Sequence, residues 1–399
     1  MSQPATTPLP SLPAPGDTAA RPRVPAIDVV RGLAMVLMAI DHTREFWCAT
    51  PVRPEDVAQA PAALFLTRWV THFCAPAFVF LAGVSVFLYQ QKQSGRGAVS
   101  RFLLTRGLWL VVVELVVINF ILQWGYPLLV LEVIWALSWS MVLLAGALWL
   151  PRGLLAGLAL AVVAGQHLLP ASQPVAAAGA GWALLYHSPF VLPTPLGPVL
   201  AAYTVLPWAA VMALGYVAGP WFGALLARRQ RWLGLVGGAA LLFFVALRAT
   251  NWYGDPAPWS PQPRGDGYTL LSFLNVTKYP PSLLFLSVTL GGALLALAGA
   301  GRLPGRLSRW LSTYGRVPLF YFVLHFSLIS GGAYVWTRLA FGQAINLSFA
   351  AVKDWPAGYQ PSLLRLYVVW AAVVALTYWP CRWYQGYKQR HAYWWLSYL

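Results

Sequence analysis

Asp28, Arg31, Asp41 and His42 all fall in one apolar stretch, residues 27–47. An ionisable side chain inside a membrane span costs several kcal/mol unless it is paired or faces a watered cavity. An imidazole facing a bundle interior can take a proton from an attacking hydroxyl or amine at neutral pH, so His42 reads as a general base. At about 100° per residue, His42 lies roughly 20° around the helix from Arg31 and roughly 40° from Asp28. Met35 and Met38 stand between them on a stripe that joins the two membrane sides. Asp28 and Arg31, three residues apart, read equally as a structural ion pair and as a seat for an anionic cofactor. Asp41 points about 100° away from His42 and is assigned to orient or share its proton.

A second apolar stretch supplies His72 near its outer end. Sequential helices usually neighbour each other, so His42 and His72 are expected to face one outer cavity. No third ligand at diagnostic spacing accompanies them, and no metal is expected. Glu114, Asn119 and Glu132 either line that cavity or hydrogen-bond between helices, the commoner use. His325, near mid-membrane, reads as a polar cavity residue, while Lys278 and Tyr279 either hold an acceptor or anchor the interface. Arg106 and Arg316 suit the phosphates of a coenzyme entering from the cytoplasm, although topology alone also requires arginines there. The absence of a phosphate-cradling glycine loop argues against nucleotide-driven pumping.

The elements that must position these residues are membrane helices. The 399 residues are 59% hydrophobic and 10% charged, too little polar surface to wrap a soluble globule. Ten stretches of about 20 mainly apolar residues predict an all-α transmembrane helix bundle: 27–47, 70–90, 103–123, 129–150, 153–169, 199–220, 232–250, 281–300, 317–337 and 364–384. The net charge of +16 does not indicate nucleic acid, because the basic residues are dispersed among loops rather than gathered in one stripe. Their concentration in alternate loops places both termini in the cytoplasm. Residues 1–22 read as a disordered cytoplasmic tail, 23–385 as the membrane domain and 386–399 as a second tail. Loops 170–198, 251–280 and 338–363 read as ordered caps over the outer mouth, with 173–181 loose. A Cys48–Cys74 disulfide is conceivable, but all three cysteines read better as small buried hydrophobes.

Ile27-Asp28-Val-Val-Arg31-Gly32-Leu-Ala-Met-Val-Leu-Met38 and Phe78-Val-Phe-Leu-Ala-Gly83-Val-Ser85 resemble the opening of the heparan-α-glucosaminide N-acetyltransferase-like family. Ser272-Phe-Leu-Asn275-Val-Thr-Lys278-Tyr279-Pro280-Pro281-Ser282 and Gly315-Arg316-Val-Pro318-Leu-Phe-Tyr-Phe-Val-Leu-His325 are similar to its bacterial branch. The resemblance implies a ten- or eleven-helix enzyme of the bacterial inner membrane. It would pass acetyl from cytoplasmic acetyl-CoA to a carbohydrate or other small acceptor at the outer face. Membrane lipid is the expected surrounding partner, and a homodimer is left open. Asn275, Lys278, Tyr279 and His325 then become acceptor contacts, and Asp28, Arg31, Arg106 and Arg316 donor contacts. Lysosomal relatives are understood to use a His in the first lumenal loop, and residues 43–68 hold none. Catalysis would fall instead to His42 or His72. The rival reading is a proton-coupled transporter or flippase, whose relay would use the same buried ions.

Overall fold

The computed structural model describes residues 24–168, 179–186, 189–195, 197–391 and 393–397; the tail expected at 1–22 and most of 173–181 lie outside the described residues. Pro25, whose fixed φ suits a first helical position, opens α1 (Pro25–Trp47). Helices α2 (Ala62–Thr71) and α3 (Cys74–Gln90) follow as one run, and α4 (Arg96–Val112) passes through a π turn at Val113–Ile118 into α5 (Asn119–Gln123). The chain continues through α6 (Val133–Ala147), α7 (Arg152–Gly165), α8 (Ala180–Tyr186), α9 (Leu206–Phe222), α10 (Leu226–Thr250) and α11 (Asp266–Leu274). It ends with α12 (Leu283–Gly299), α13 (Gly305–Gly315), α14 (Pro318–Phe341) and α15 (Leu363–Arg390). Among the described residues, six helical runs are long and apolar enough to cross a membrane: α2–α3, α4–α5, α10, α12, α14 and α15. Helices α6, α7 and α9 are apolar but shorter. Helix α1 has 23 residues and is set apart by its charges.

Two stretches expected as wholly helical begin in strands instead. Leu129–Leu131 (β1), Phe190–Thr194 (β2) and Gly197–Ala201 (β3) form a sheet of order β1-β3-β2. Strand β1 runs parallel to β3 with Leu129 opposite Val199, and β2 runs antiparallel with Phe190 opposite Ala201. Short apolar runs cannot be told from buried helix by hydropathy alone, which is why the sequence pattern merged them with the helices that follow. The π turn holds this sheet. Asn119 spans to β1, donating to the Val130 carbonyl at 3.0 Å and accepting from its amide at 2.7 Å. Glu114 accepts from the Glu132 amide at 2.6 Å. Both residues therefore hydrogen-bond between elements rather than line a cavity.

Helix α1 runs through the middle of the bundle, packed against α3, α13, α14 and α15. Helix α13, expected as part of a basic inner loop, is amphipathic: Leu311 and Gly315 are buried on α1 and Tyr314 between α14 and α15, while Arg306 is exposed. Backbones meet directly at this crossing, because a Cβ on Gly32 would strike the Leu311 carbonyl and one on Gly315 the Asp28 carbonyl. The α3–α9 crossing repeats the device, with Gly83 on Met212 and Gly215 on Phe80. Small residues let membrane helices approach closely enough for dispersion to hold them without help from water.

The 251–280 loop is fastened from within. Arg248, 2% exposed, donates to the carbonyls of Ala257, Ser272, Phe273 and Asn275 at 2.6–3.1 Å. Asp255 lies 3.9 Å from Arg248 and accepts from the Thr277 amide, the Thr277 hydroxyl and the Ser282 hydroxyl. Ser282 in turn caps α12 by accepting from the Phe285 amide at 2.8 Å. Lys278 and Tyr279 sit inside this clamp.

Candidate functional site

A cavity of about 420 Å³ runs beside α1, within the range of small-molecule sites. Arg31, Met35, Met38, Asp41, His42 and Glu45 line it from α1. Their spacing of three and four residues is one helical face, so the stripe inferred from sequence is the cavity wall. The opposing wall comes from the α2–α3 run, where Thr71, Cys74, Phe78, Ala82, Ser85 and Tyr89 recur at the same spacing. Arg106 on α4 lines the cavity too, 5.9 Å from the Phe102 ring, which packs on Tyr89 one turn from the Ser85 that Arg31 holds, so the two arginines share one end. Glu132, Tyr203, Lys278 and Tyr279 also line the cavity; Glu132 follows β1 directly and Tyr203 lies two residues past β3. The sheet thus carries Glu132 into the cavity, as one of the two sequence alternatives had it, together with Tyr203, which no span-by-span reading would group with it.

His42 is buried, and its Nδ1 lies 2.9 Å from Nε2 of His325. His325 is fully buried, and its Nδ1 lies 2.7 Å from the Tyr321 carbonyl. It does not line the cavity, so the acceptor contact expected of it becomes a contact to His42. The two rings lie edge to edge and nearly coplanar, with centroids 5.1 Å apart and planes 15° from parallel, walled by Tyr321, Phe322 and Phe326. These partners are 283 positions apart, a pairing no local pattern reveals.

His72, expected beside His42, faces elsewhere. Its ring meets Phe285 edge-on at 5.5 Å, and neither ring nitrogen has a hydrogen-bond partner. The reason is angular: Thr71, Cys74 and Ala75 carry the cavity stripe, and His72 stands about 100° round from Thr71. Asp41 corrects the expectation in the opposite sense, since it lines the cavity beside His42. Arg44 Nε donates to Asp41 Oδ1 at 3.1 Å and Arg68 donates to Oδ2. Arg68 Nε also donates to Glu55 Oε1 at 2.8 Å, and Arg44 reaches Glu45 at 3.1 Å. The carboxylate beside His42 is therefore tied to a loop glutamate by a two-armed arginine. Burial pushes the Glu55 carboxyl up, but the Arg68 guanidinium overcomes this and holds it below the usual glutamate range.

At the other end, Arg31 donates to the Ser85 hydroxyl at 2.9 Å and the Gly315 carbonyl at 3.3 Å, and lies 4.0 Å from Asp28. Arg316 donates to Asp28 at 3.2 Å. Asp28 and Arg316 are beside the cavity wall without lining it. Asn275 is also outside; its amide donates to the Glu55 carbonyl at 2.8 Å, fastening one outer loop to another. Cys48, Cys74 and Cys381 are free and buried, with Cys74 on the cavity wall. Among the described residues no cluster of three or more His, Cys, Asp or Glu could hold a metal.

Apolar helices packed through bare glycine contacts, enclosing a chamber with arginines at one end and an imidazole among carboxylates at the other, define an integral membrane protein built for chemistry on a bound small molecule. The chain belongs to the heparan-alpha-glucosaminide N-acetyltransferase catalytic family, whose model matches residues 23–248. It is accordingly a protein of the membrane acetyltransferase type. A search among curated proteins finds no match. The matched region carries Arg31, Asp41, His42, Arg106 and Glu132, while Lys278, Tyr279 and His325 complete the site from beyond it.

Proposed function

We propose that this protein transfers an acetyl group from cytoplasmic acetyl-CoA to a small-molecule or carbohydrate acceptor at the outer face of a bacterial inner membrane. Residues 23–385 form the transferase domain, flanked by the cytoplasmic tails 1–22 and 386–399. Ten spans fit the six long apolar helices together with α1, α6, α7 and α9, and an even number returns both termini to one side.

The observation that carries this reading is that Arg31 and Arg106 line one end of the cavity that His42 lines about 16 Å further along α1. Guanidinium groups suit phosphate oxygens, so the donor's nucleotide end is assigned to Arg31 and Arg106, with its thioester reaching along Met35 and Met38. His42 takes the proton of the acceptor amine or hydroxyl as its nitrogen or oxygen attacks the thioester carbon. The carbon–sulfur bond breaks, and the thiolate of CoA leaves and is reprotonated. Holding donor and acceptor in one chamber makes the encounter effectively unimolecular. Lys278 and Tyr279, held by Asp255, contact the acceptor. No covalent acyl-enzyme is needed.

Calorimetric titration of the detergent-purified protein with acetyl-CoA tests the assignment. Saturable binding that weakens at least tenfold in Arg31→Ala is expected. No binding at millimolar donor would reject the transferase reading and leave a transporter on the same fold.

A further inference from the structure

We propose that His325 is a positioning residue that fixes which nitrogen of His42 is basic; this rests on the reading of His42 as the proton acceptor. A backbone carbonyl can only accept, so the 2.7 Å contact to Tyr321 requires hydrogen on His325 Nδ1. Neutral His325 then presents an unprotonated Nε2. His42 Nδ1, 2.9 Å away, must be the donor of that hydrogen bond. The chain of donors leaves a neutral His42 with its lone pair on Nε2, at the opposite edge of the ring. Since His42 lines the cavity and His325 does not, that edge is the one offered to an acceptor.

The surroundings hold the arrangement. His325 lies flat on Tyr321 with centroids 4.6 Å apart and an interplanar angle of 8°, and meets Phe322 edge-on at 5.6 Å. Phe326 stands 4.5 Å from the His42 ring. Neither imidazole can turn without breaking these contacts. When His42 gains a proton on Nε2, its Nδ1–H already points at a neutral acceptor, and the bond becomes charge-assisted. A carboxylate in the same place would do this more strongly, but buried among Tyr321, Phe322 and Phe326 it would carry an uncompensated charge before the reaction. A second histidine orients the first without that charge, the part that a partner on the other ring nitrogen plays at other histidine sites.

The test is nitrogen NMR of the full-length protein labelled at histidine, with the His42 signals identified by their loss in His42→Gln. The expected spectrum shows a neutral His42 with hydrogen on Nδ1 and none on Nε2. His325→Phe should abolish that preference, and His325→Gln, whose carboxamide oxygen can accept from Nδ1–H, should restore it. Acetyl transfer from acetyl-CoA to glucosamine, used as a probe amine, should follow the same order. A kcat loss of tenfold or more is expected in His325→Phe, with the KM for acetyl-CoA unchanged and partial recovery in His325→Gln. A His42 protonated on Nε2 in the native protein, or a tautomer indifferent to His325→Phe, would overturn the proposal. The expected tautomer with undiminished transfer in His42→Ala would instead overturn the base reading and leave the hydrogen-bond chain standing.

Discussion

His42 is one methylene-linked ring in a wall of methionine and phenylalanine, yet the proposed chemistry depends on it. Removing a positioned base typically costs 10²–10⁴-fold in rate. His42→Ala should therefore lower kcat by about that factor while acetyl-CoA still binds, since Arg31 and Arg106 are untouched; rapid-quench kinetics beside calorimetry would separate the two effects. Glu55 gives a second residue-scale test, with a definite sign. Its carboxyl is held below the usual glutamate value in the folded protein by Arg68. The stability it contributes is present above the unfolded value and is lost as pH falls through the folded one. Thermal unfolding should thus drop more steeply below about pH 4 in the native protein than in Glu55→Gln, and the two curves should converge in stronger acid. Parallel curves would show that the Arg68 contact adds nothing. The stripe of Arg31, Met35, Met38 and His42 was legible from periodicity, because one helix fixes its own angles. His325, Arg68 and Tyr203 were not, because their partners come from segments whose approach no local pattern encodes.

Helices and loops set how precisely those side chains are held. Gly83 and Gly215 sit where α3 and α9 touch backbone to backbone. A larger residue there has no side chain to push aside, only backbone, the Met212 carbonyl and the Tyr216 nitrogen, so Gly83→Leu should cost more than the roughly 1–3 kcal/mol typical of overpacking. The measurement is the midpoint of thermal unfolding in detergent, with Gly97→Leu, at a glycine whose Cβ would meet nothing within 4 Å, as the control expected to unfold normally. The Asp255 clamp acts on function more narrowly. Asp255→Ala strands the donors of Thr277 and Ser282 and leaves Arg248 with carbonyl partners alone. Each unmet buried donor costs about 1–3 kcal/mol. Looser placement of Lys278 and Tyr279 should raise the KM for acceptor severalfold while acetyl-CoA affinity stays native, and a change in donor affinity instead would separate the clamp from the acceptor end. Strands at 129–131 and 197–201 escaped the hydropathy pattern because three to five apolar residues suit either geometry. The amphipathic α13 escaped it for a different reason, its arginines making it look like a loop.

At the scale of the whole molecule, the proposal requires a direction: the arginine end of the cavity must open toward the compartment that supplies acetyl-CoA. The distribution of Lys and Arg sets this direction, since basic residues favour cytoplasmic segments. The turn after α3 and the 342–362 loop should then lie on opposite sides of the membrane. The three native thiols are buried and free, so a cysteine introduced at an exposed position is the one accessible target for an impermeant maleimide. Ser94→Cys, in the turn between α3 and α4, and Ala357→Cys, in the loop before α15, are both exposed sites. In intact cells with a permeabilised outer membrane, Ala357→Cys should label at once and Ser94→Cys only after the inner membrane is broken. The opposite order would put Arg31 and Arg106 outside, where acetyl-CoA is absent, and would break the link between the two ends of the cavity. The expected order would leave His42, about 16 Å along α1, on the side where an outer acceptor arrives, so that one chamber receives the donor from one compartment and the acceptor from the other.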